Sequence, residues 1–292
     1  MYKLVSNYRN NQQLRESFNQ LALKTFDLDF RNWYQYDYWN EDYIPYSFIK
    51  GNQVIANASI TKLHIIINGK SYHAIQIGTV MTDEKYKKQG LARKLMEHIL
   101  EKYKDACDFI YLFANETVLN FYPKFGFTRI DESVYCLDLE ETGLASSISE
   151  NIRKIMIEED RALLEKFAKE RYVNSQVLDV QDYSSLLLFY FSIPFHDMIY
   201  HIAELDTLVL MEEEGDTIHV FDIIALKKPD IKTIVANIQK ETTKKVIFYF
   251  TIDENMTGLS VEKQSNDEDA LFILAKEPLL NGHFLFPITS HT

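Results

Sequence analysis

A cluster of cationic side chains in a polar turn, between residues 83 and 93, has the composition of an anion-binding site. Lys87, Lys88 and Arg93 surround Gly90, a residue that lets the backbone come close to a ligand. Apolar alternation before the turn predicts a strand, and apolar residues at helical spacing after it predict a helix. The first N–H groups of that helix have no partners within the helix, and the helix dipole favours an anion there. The segment therefore predicts a phosphate site, although an ordinary capped helix with a solvated basic face fits it equally well.

Two nucleotide-binding motifs do not describe this turn. The sequence has no GxGxxG dinucleotide fingerprint and no GxxxxGK[ST] P-loop. Neither motif therefore accounts for this segment.

The pattern V-x-T-x-x-x-Y-K-x-x-G-L-A, from Val80 to Ala92, resembles the acyl-CoA pyrophosphate loop of the GNAT N-acetyltransferase superfamily. Lys87 stands where that family has arginine or glutamine. A second segment, with Asn115, Tyr122 and a Gly-Phe pair at 126–127, resembles the stretch that carries the catalytic tyrosine in many members. The ordered pair of motifs covers roughly residues 1–140. It implies an α/β fold, a mixed α+β sheet of the GNAT acyl-CoA N-acyltransferase type.

The resemblance also implies roles for individual residues. Tyr122 would be the general acid that protonates the CoA thiolate, although as one of 18 tyrosines it could simply pack in the core. Asn115 would bind the pantetheine arm or the tyrosine segment; its alternative is the cap of a short helix. The residues expected to bind acetyl-CoA are Val80, Met81, Thr82, Lys87, Lys88, Gln89, Gly90, Leu91, Ala92, Arg93 and Asn115. No metal is expected.

The general base is where the sequence departs from many relatives. They place a glutamate on the fourth strand, whereas residues 74–81 contain no carboxylate. His73, Gln76 acting through a water, and the terminal carboxylate of Thr292 are the candidates. An amine that is already partly neutral would need no dedicated base.

An aromatic and acidic stretch between Phe26 and Phe48 is a candidate for the acceptor site. It holds ten aromatic residues interleaved with five carboxylates. Aromatic faces and carboxylates both attract ammonium groups. A cationic amine substrate is therefore expected, although a core helix with a solvated acidic face explains the same pattern. The expected substrate-binding residues are Trp33, Tyr36, Asp37 and Trp39.

The composition limits the classes of protein to which the chain can belong. The chain has 292 residues, 46% hydrophobic, which suits a globular protein of about two domains. Neither a membrane span nor a secretory signal is readable, and two cysteines without CxxC spacing suggest neither a disulfide framework nor a zinc site, so a cytoplasmic location is expected. The net charge of −12, most of it in the second half, argues against a nucleic-acid partner.

The order of predicted elements suggests two halves. Residues 1–142 are expected to form the acetyltransferase domain, with 127–130 and 134–139 closing its sheet as a final pair. A small polar linker at 143–149 is followed by strand and helix signals that repeat the order, so 150–292 is expected to be a second GNAT-like domain. The loop at 226–230 has no glycine, and Pro229 removes a backbone donor, so this domain is expected to be degenerate.

The sequence thus predicts an N-acetyltransferase that moves an acetyl group from acetyl-CoA to a primary amine of a small molecule by direct attack. The alternative is a regulatory or assembly module that binds CoA without turnover. The sequence indicates neither a particular amine nor an oligomeric state.

Overall fold

The computed structural model describes residues 2–146 and 152–292. They form two mixed β-sheets with helices on their faces, as predicted. The strands are β1 (Lys3–Ser6), β2 (Tyr43–Lys50), β3 (Gln53–Ile67), β4 (Lys70–Thr82), β5 (Phe109–Ala114), β6 (Thr128–Arg129), β7 (Glu132–Asp138), β8 (Ile152–Lys154), β9 (Leu178–Gln181), β10 (Ile199–Ile202), β11 (Thr207–Glu214), β12 (Thr217–Ala225), β13 (Lys245–Phe248), β14 (Leu259–Gln264) and β15 (Ala270–Ala275). The α-helices are α1 (Gln12–Phe26), α2 (Arg31–Gln35), α3 (Leu91–Tyr103), α4 (Leu139–Thr142), α5 (Arg161–Glu170), α6 (Ser184–Ser192) and α7 (Ile231–Ile238).

The long hairpin of β3 and β4 lies at the centre of the first sheet. Its turn is Asn68-Gly69, with φ values of 49° and 74°. The tightest hairpin turns need positive φ at both central residues, and asparagine followed by glycine is the pair that tolerates it best. The hairpin expected from these two residues is confirmed.

The first sheet is completed by a strand from near the end of the chain. Its order is β1-β2-β3-β4-β5-β15-β6, and β9 also pairs with β3. The prediction that 127–130 and 134–139 close this sheet as a pair is wrong, because β15 lies between β5 and β6, and β7 joins the other sheet. The sequence of β15, ALFILA, is apolar at every position and is largely buried, which suits a strand covered on both faces.

The second sheet has the order β14-β7-β13-β12-β11-β10-β8. It takes β7 from the first part of the chain, just as the first sheet takes β9 and β15 from the second part. Hydrogen bonding therefore crosses the predicted boundary, and the division into 1–142 and 150–292 stays a prediction. Of the predicted linker, residues 147–149 lie outside the described residues.

Helices cover both faces of the first sheet. Helix α3 buries its apolar stripe, Leu91, Leu95, Met96 and Ile99, on one face. Helices α1, α2, α5 and α6 pack on the other face, in a core shared with residues of the second sheet such as Leu208. Among the described residues, none of the helices combines the length and apolar character needed to cross a bilayer.

Candidate active site

The candidate site opens where β4 and β5 part. The two strands pair only from Ala74 with Phe109 to Gln76 with Tyr111, although both continue beyond that point. The slot between them leads into a cleft of about 700 Å³, lined by backbone of residues 77–82. Backbone groups without a strand partner are available to bind an extended ligand that carries amides, such as a pantetheine arm.

The N-terminus of α3 forms one wall of the cleft. Gly90 occupies the N-cap in the left-handed conformation, with φ of 74°, and no side chain caps the helix. Helix α7 follows the corresponding turn in the second half, but there the Asp230 side chain accepts a hydrogen bond from the Thr233 backbone N–H. The first turn of α3 therefore keeps its N–H groups for an external anion, whereas part of that capacity in α7 is used internally.

Most of the expected CoA-binding residues are brought together here. The ones that line the cleft are Val80, Met81, Thr82, Lys87, Lys88, Gly90, Leu91, Ala92, Arg93 and Asn115. Gln89 is not among them; its side-chain oxygen accepts a hydrogen bond of 2.9 Å from the Tyr2 hydroxyl. The Lys87 ammonium lies 2.5 Å from the Glu84 carboxylate, so a phosphate would compete with that ion pair.

Tyr122 lies on a 3-10 turn at the far side of the cleft from α1 and lines it. Its ring is largely buried against Phe121, Phe127 and Phe272. Burial raises the pKa of the Tyr122 hydroxyl to about 12, so the phenol carries its proton at neutral pH. Tyr122 therefore packs in the core and also lines the cleft, and its role as general acid stays a prediction.

Asn115 forms the expected cap, and its role in binding the pantetheine arm stays a prediction. Its side-chain oxygen caps the following turn, accepting from the Thr117 backbone N–H at 3.1 Å. The residue also lines the cleft. The cap fixes the side chain at the end of β5 and leaves its amide nitrogen without a hydrogen-bond partner among the described residues.

Thr292 reaches the centre of the cleft from the other end of the chain. Its backbone carbonyl group and side chain occupy the space where a Cβ at Gly78 would stand. Only glycine at position 78 lets the chain approach β4 so closely. An isolated glycine within a strand pattern is a known signal of close backbone approach, and this signal points to Gly78 as a site residue that our sequence analysis did not name.

The segment that carries Thr292 is anchored in the second half of the molecule. The Thr289 hydroxyl donates a hydrogen bond to the buried Asp222 carboxylate. The Tyr190 hydroxyl donates to the His291 carbonyl at 2.9 Å. The His291 ring stacks on Phe113, which lines the cleft, and its Nδ1 lies 2.9 Å from the Asp269 carboxylate. These contacts fix the position of Thr292 relative to β4 and β5.

Of the three candidates for the base, only Thr292 lines the cleft. His73 lies on the exposed surface, with its Nδ1 2.9 Å from Nε2 of His64. Gln76 is fully buried, and neither polar atom of its side chain has a partner in the described residues.

The expected acceptor residues lie outside the cleft. Trp33 and Trp39 are 2% and 1% exposed, and their rings stack on each other with centroids 5.5 Å apart. Their indole N–H groups donate to the backbone oxygens of Ser185 and Tyr43. An ammonium group cannot reach these faces, so the structure does not support the two tryptophans as a cation–π wall. The alternative, an aromatic core, describes them.

The two other acceptor candidates lie near the surface, also outside the cleft. The Tyr36 hydroxyl donates to the Glu158 carboxylate at 2.8 Å, and Asp37 occupies an exposed turn with φ of 60°. The wall of the cleft on this side is instead the C-terminal end of α1, with Leu21, Lys24, Thr25 and Phe26. The Lys24 ammonium pairs with Asp83 at 3.3 Å, and the Phe26 ring is 38% exposed.

Comparison with solved structures agrees with this geometry. A probable N-acyltransferase of unknown function from Enterococcus faecalis is 13% identical, with a TM-score of 0.62 over 94% of this chain and 72% of that one. Eis1 from Mycobacterium abscessus is 12% identical, with a TM-score of 0.57 over 93% and 73%. A GCN5-related N-acetyltransferase from Kribbella flavida is 14% identical, with a TM-score of 0.55 over 94% and 71%. No curated protein matches the chain. At these identities the likenesses show the fold, which is that of the acyl-CoA N-acyltransferases.

The first part of the chain matches a known protein family in sequence. Residues 11–130 match the family described as the acetyltransferase (GNAT) domain. This range contains the parted strands, the open N-terminus of α3 and Tyr122. The chain thus carries a GNAT acetyltransferase domain at residues 11–130, which supports an acyltransferase activity.

Proposed function

We propose that this protein transfers an acetyl group from acetyl-CoA to a primary amine of a small molecule. The observation that carries the proposal is the meeting of three features in one cleft: the open N-terminus of α3, the Tyr122 phenol and Thr292. Backbone N–H groups at residues 90–93, with Lys88 and Arg93, would hold the pyrophosphate. The unpaired edge of β4 would hold the pantetheine arm and direct the thioester toward Thr292.

The reaction needs an uncharged amine next to the thioester carbon. The terminal carboxylate expected at Thr292 would, as the base, accept a proton from the ammonium form of the acceptor, and the neutral nitrogen would then attack the carbonyl carbon. The C–N bond forms, the tetrahedral centre collapses and the C–S bond breaks. Of the two protons that the ammonium loses, one ends on the sulfur of CoA and the other passes to solvent through Thr292.

Tyr122 would assist the departure of the thiolate. A phenol with a pKa of about 12 is a weak donor toward a thiolate whose conjugate acid has a pKa of about 8.5. Complete transfer from Tyr122 is therefore uphill in the resting site, and its main contribution is a hydrogen bond to the sulfur as negative charge develops. The sulfur takes up its proton as the nitrogen loses its positive charge.

We further propose that the acceptor is cationic. The net charge of the chain is −12, with 43 aspartate and glutamate residues against 31 lysine and arginine residues. These charges would attract an ammonium group, and added salt would weaken that attraction. KM for the amine should therefore rise with ionic strength, and preference for a neutral or anionic acceptor with a flat salt dependence would contradict this proposal.

Release of CoA thiol across a panel of amines tests the function. The panel should include polyamines, aminoglycosides, amino acids and peptides with a free N-terminus, because the sequence indicates no particular amine. Turnover with one class supports the enzyme. The alternative, a module that binds CoA without turnover, predicts tight acetyl-CoA binding and no thiol release with any amine.

A further inference from the structure

Strand β4 contains a bulge at the point where it forms the slot. Asn57 of β3 faces Met81, and Ser59 faces Gly78, so two steps along β3 correspond to three along β4. Thr79 and Val80 consequently have no register partner in β3, and both line the cleft. Bulges of this kind redirect a strand and expose its backbone next to functional sites.

The bulge depends on a backbone conformation that its residue disfavours. Thr79 has φ of 50°, in the left-handed region. A β-branched side chain is rarely found there, and such a conformation persists only where surrounding contacts fix it. We therefore expect the contacts of Thr79 to include the groups that stabilise its left-handed conformation.

Two hydrogen bonds from neighbouring strands hold Thr79. The side-chain nitrogen of Asn57 donates to the Thr79 carbonyl oxygen at 2.9 Å. The hydroxyl of Tyr43 lies 2.8 Å from the Thr79 hydroxyl. One contact fixes the backbone of the bulge and the other fixes its side chain.

Asn57 is itself fixed by a buried chain of hydrogen bonds. The Ser47 hydroxyl donates to the Asn57 side-chain oxygen at 2.7 Å and lies 2.7 Å from the Tyr8 hydroxyl. The second hydrogen of the Asn57 amide goes to the Ser59 hydroxyl at 2.9 Å. Ser47, Asn57 and Ser59 are all 0% exposed. The side chain thus has one orientation available, with its nitrogen toward the bulge.

We propose that Asn57 is a positioning residue for acyl transfer: it holds Thr79 in the left-handed conformation and thereby places the unpaired backbone of residues 79–80 against the acyl group in the slot. This inference rests on the proposed function. It assigns a role to the buried chain from Tyr8 to Asn57, which reaches no ligand itself and acts through the Thr79 carbonyl. A buried chain of polar side chains costs free energy unless all of its hydrogen bonds are made. In this chain, the Asn57 side chain donates to the carbonyl oxygen of Thr79, in the bulge.

The test compares Asn57→Ala with a rescuing second substitution. Asn57→Ala should lower kcat by about 10–100-fold, because small displacements of a reacting group have effects of this size. The affinity for CoA, which lacks the acyl group, should change by less than about threefold. Glycine adopts positive φ freely, so Thr79→Gly added to Asn57→Ala should restore a large part of kcat.

Asn19→Ala is the matched control. Asn19 is another buried asparagine, but its amide bonds only to Phe30 and Asp29 in the loop after α1. Its loss should lower the melting temperature and leave kcat intact at temperatures where the protein is folded. If folded Asn57→Ala retained wild-type kcat, or if Thr79→Gly gave no recovery, the positioning role would be refuted.

A binding measurement separates this inference from the proposed function. If the wild type binds acetyl-CoA but turns over no amine, the proposed function fails, and the bulge can still be judged by the preference for acetyl-CoA over CoA. Asn57→Ala should lower that preference by about fivefold, the size of one lost hydrogen bond. An unchanged preference would overturn the inference on its own.

Discussion

At the scale of single residues, the proposed function divides the lining of the cleft into groups that bind CoA and groups that react. Gly90, Lys88 and Arg93 would bind the pyrophosphate, whereas Tyr122 and Thr292, which line the same cleft, would serve as a proton donor and a proton acceptor. Substitutions in the binding group should change the affinity for CoA, and substitutions in the reacting group should change kcat.

Tyr122→Phe should lower kcat by about 10²–10³-fold with little change in CoA affinity, because the ring packing is kept and only the hydrogen bond to the developing thiolate is lost. Single-turnover measurements with acetyl-CoA and an active amine test this. Tyr135→Phe, at a buried tyrosine of the second sheet, is the control and should keep its kcat. An unaltered chemical step in Tyr122→Phe would assign thiolate stabilisation to another group.

Gly90→Val should weaken CoA binding by about tenfold or more. A valine at φ of 74° is strongly disfavoured, so the start of α3 must rearrange and its N–H groups lose their common direction. Titration calorimetry with CoA measures the change. Lys228→Ala, in the corresponding loop of the second half, should have no effect, and an equal loss there would contradict a single CoA site.

Glu132 should make stability depend on pH. Burial raises the pKa of this carboxyl from 4.5 to about 7, opposed by the nearby His291 and Lys263 and reinforced by Asp269. Between pH 4.5 and 7 the folded state then binds more protons than the unfolded state, so the free energy of unfolding falls as pH rises, by about 3 kcal/mol at most.

The matched variant is Glu132→Gln, which keeps an oxygen able to accept from the Phe286 backbone N–H. Urea unfolding at pH 5 and pH 8 should show a smaller difference in this variant than in the wild type. Equal pH dependence in the two proteins would show that Glu132 ionises normally in the folded state.

At the scale of elements, the aromatic stretch between α1 and β2 is a core component that supports the cleft indirectly. Phe18 of α1 contacts Trp39, Phe30 and Tyr43, and Trp33 contacts Phe189 of α6. These contacts join the helix whose end lines the cleft to the helices on the same face of the sheet.

Trp39→Ala should therefore act on stability, lowering the free energy of unfolding by about 3–5 kcal/mol through loss of a buried indole. KM for the amine should stay unchanged in the folded protein. Asp37→Asn, at an exposed turn of the same stretch, should change neither quantity measurably. A specific rise of KM for the amine in either folded variant would show that this stretch takes part in acceptor binding.

At the scale of the whole molecule, the second half serves the cleft of the first. It supplies β15 to the first sheet, and it anchors the segment that brings Thr292 to Gly78. This arrangement gives a half without an open phosphate loop a structural part in the first sheet and in the cleft.

Deletion of Thr292 should lower kcat by about 10²–10⁴-fold with CoA affinity unchanged, since it removes the proposed general base. If kcat were insensitive to this deletion, the amine would be deprotonated without Thr292.

Much of the first part of the fold was predictable because its signals are local. Asn68-Gly69 determines a hairpin through two φ values, and the stripe of α3 determines which face is buried. The spacing of Lys87, Gly90 and Tyr122 is carried by contiguous motifs, and most of those residues do line one cleft. Such preferences depend on residues that are close together in the sequence, so the sequence alone indicates them.

Tertiary structure alone decided what depends on distant contacts. No local pattern distinguishes β15 as the neighbour of β5, because an apolar run fits any doubly covered strand position. Trp33 and Trp39 carry the composition of a cation-binding wall, yet packing against α6 turned them into core. The meeting of Thr292 with Gly78 joins residues more than two hundred positions apart, and only the packing of both halves determines that approach.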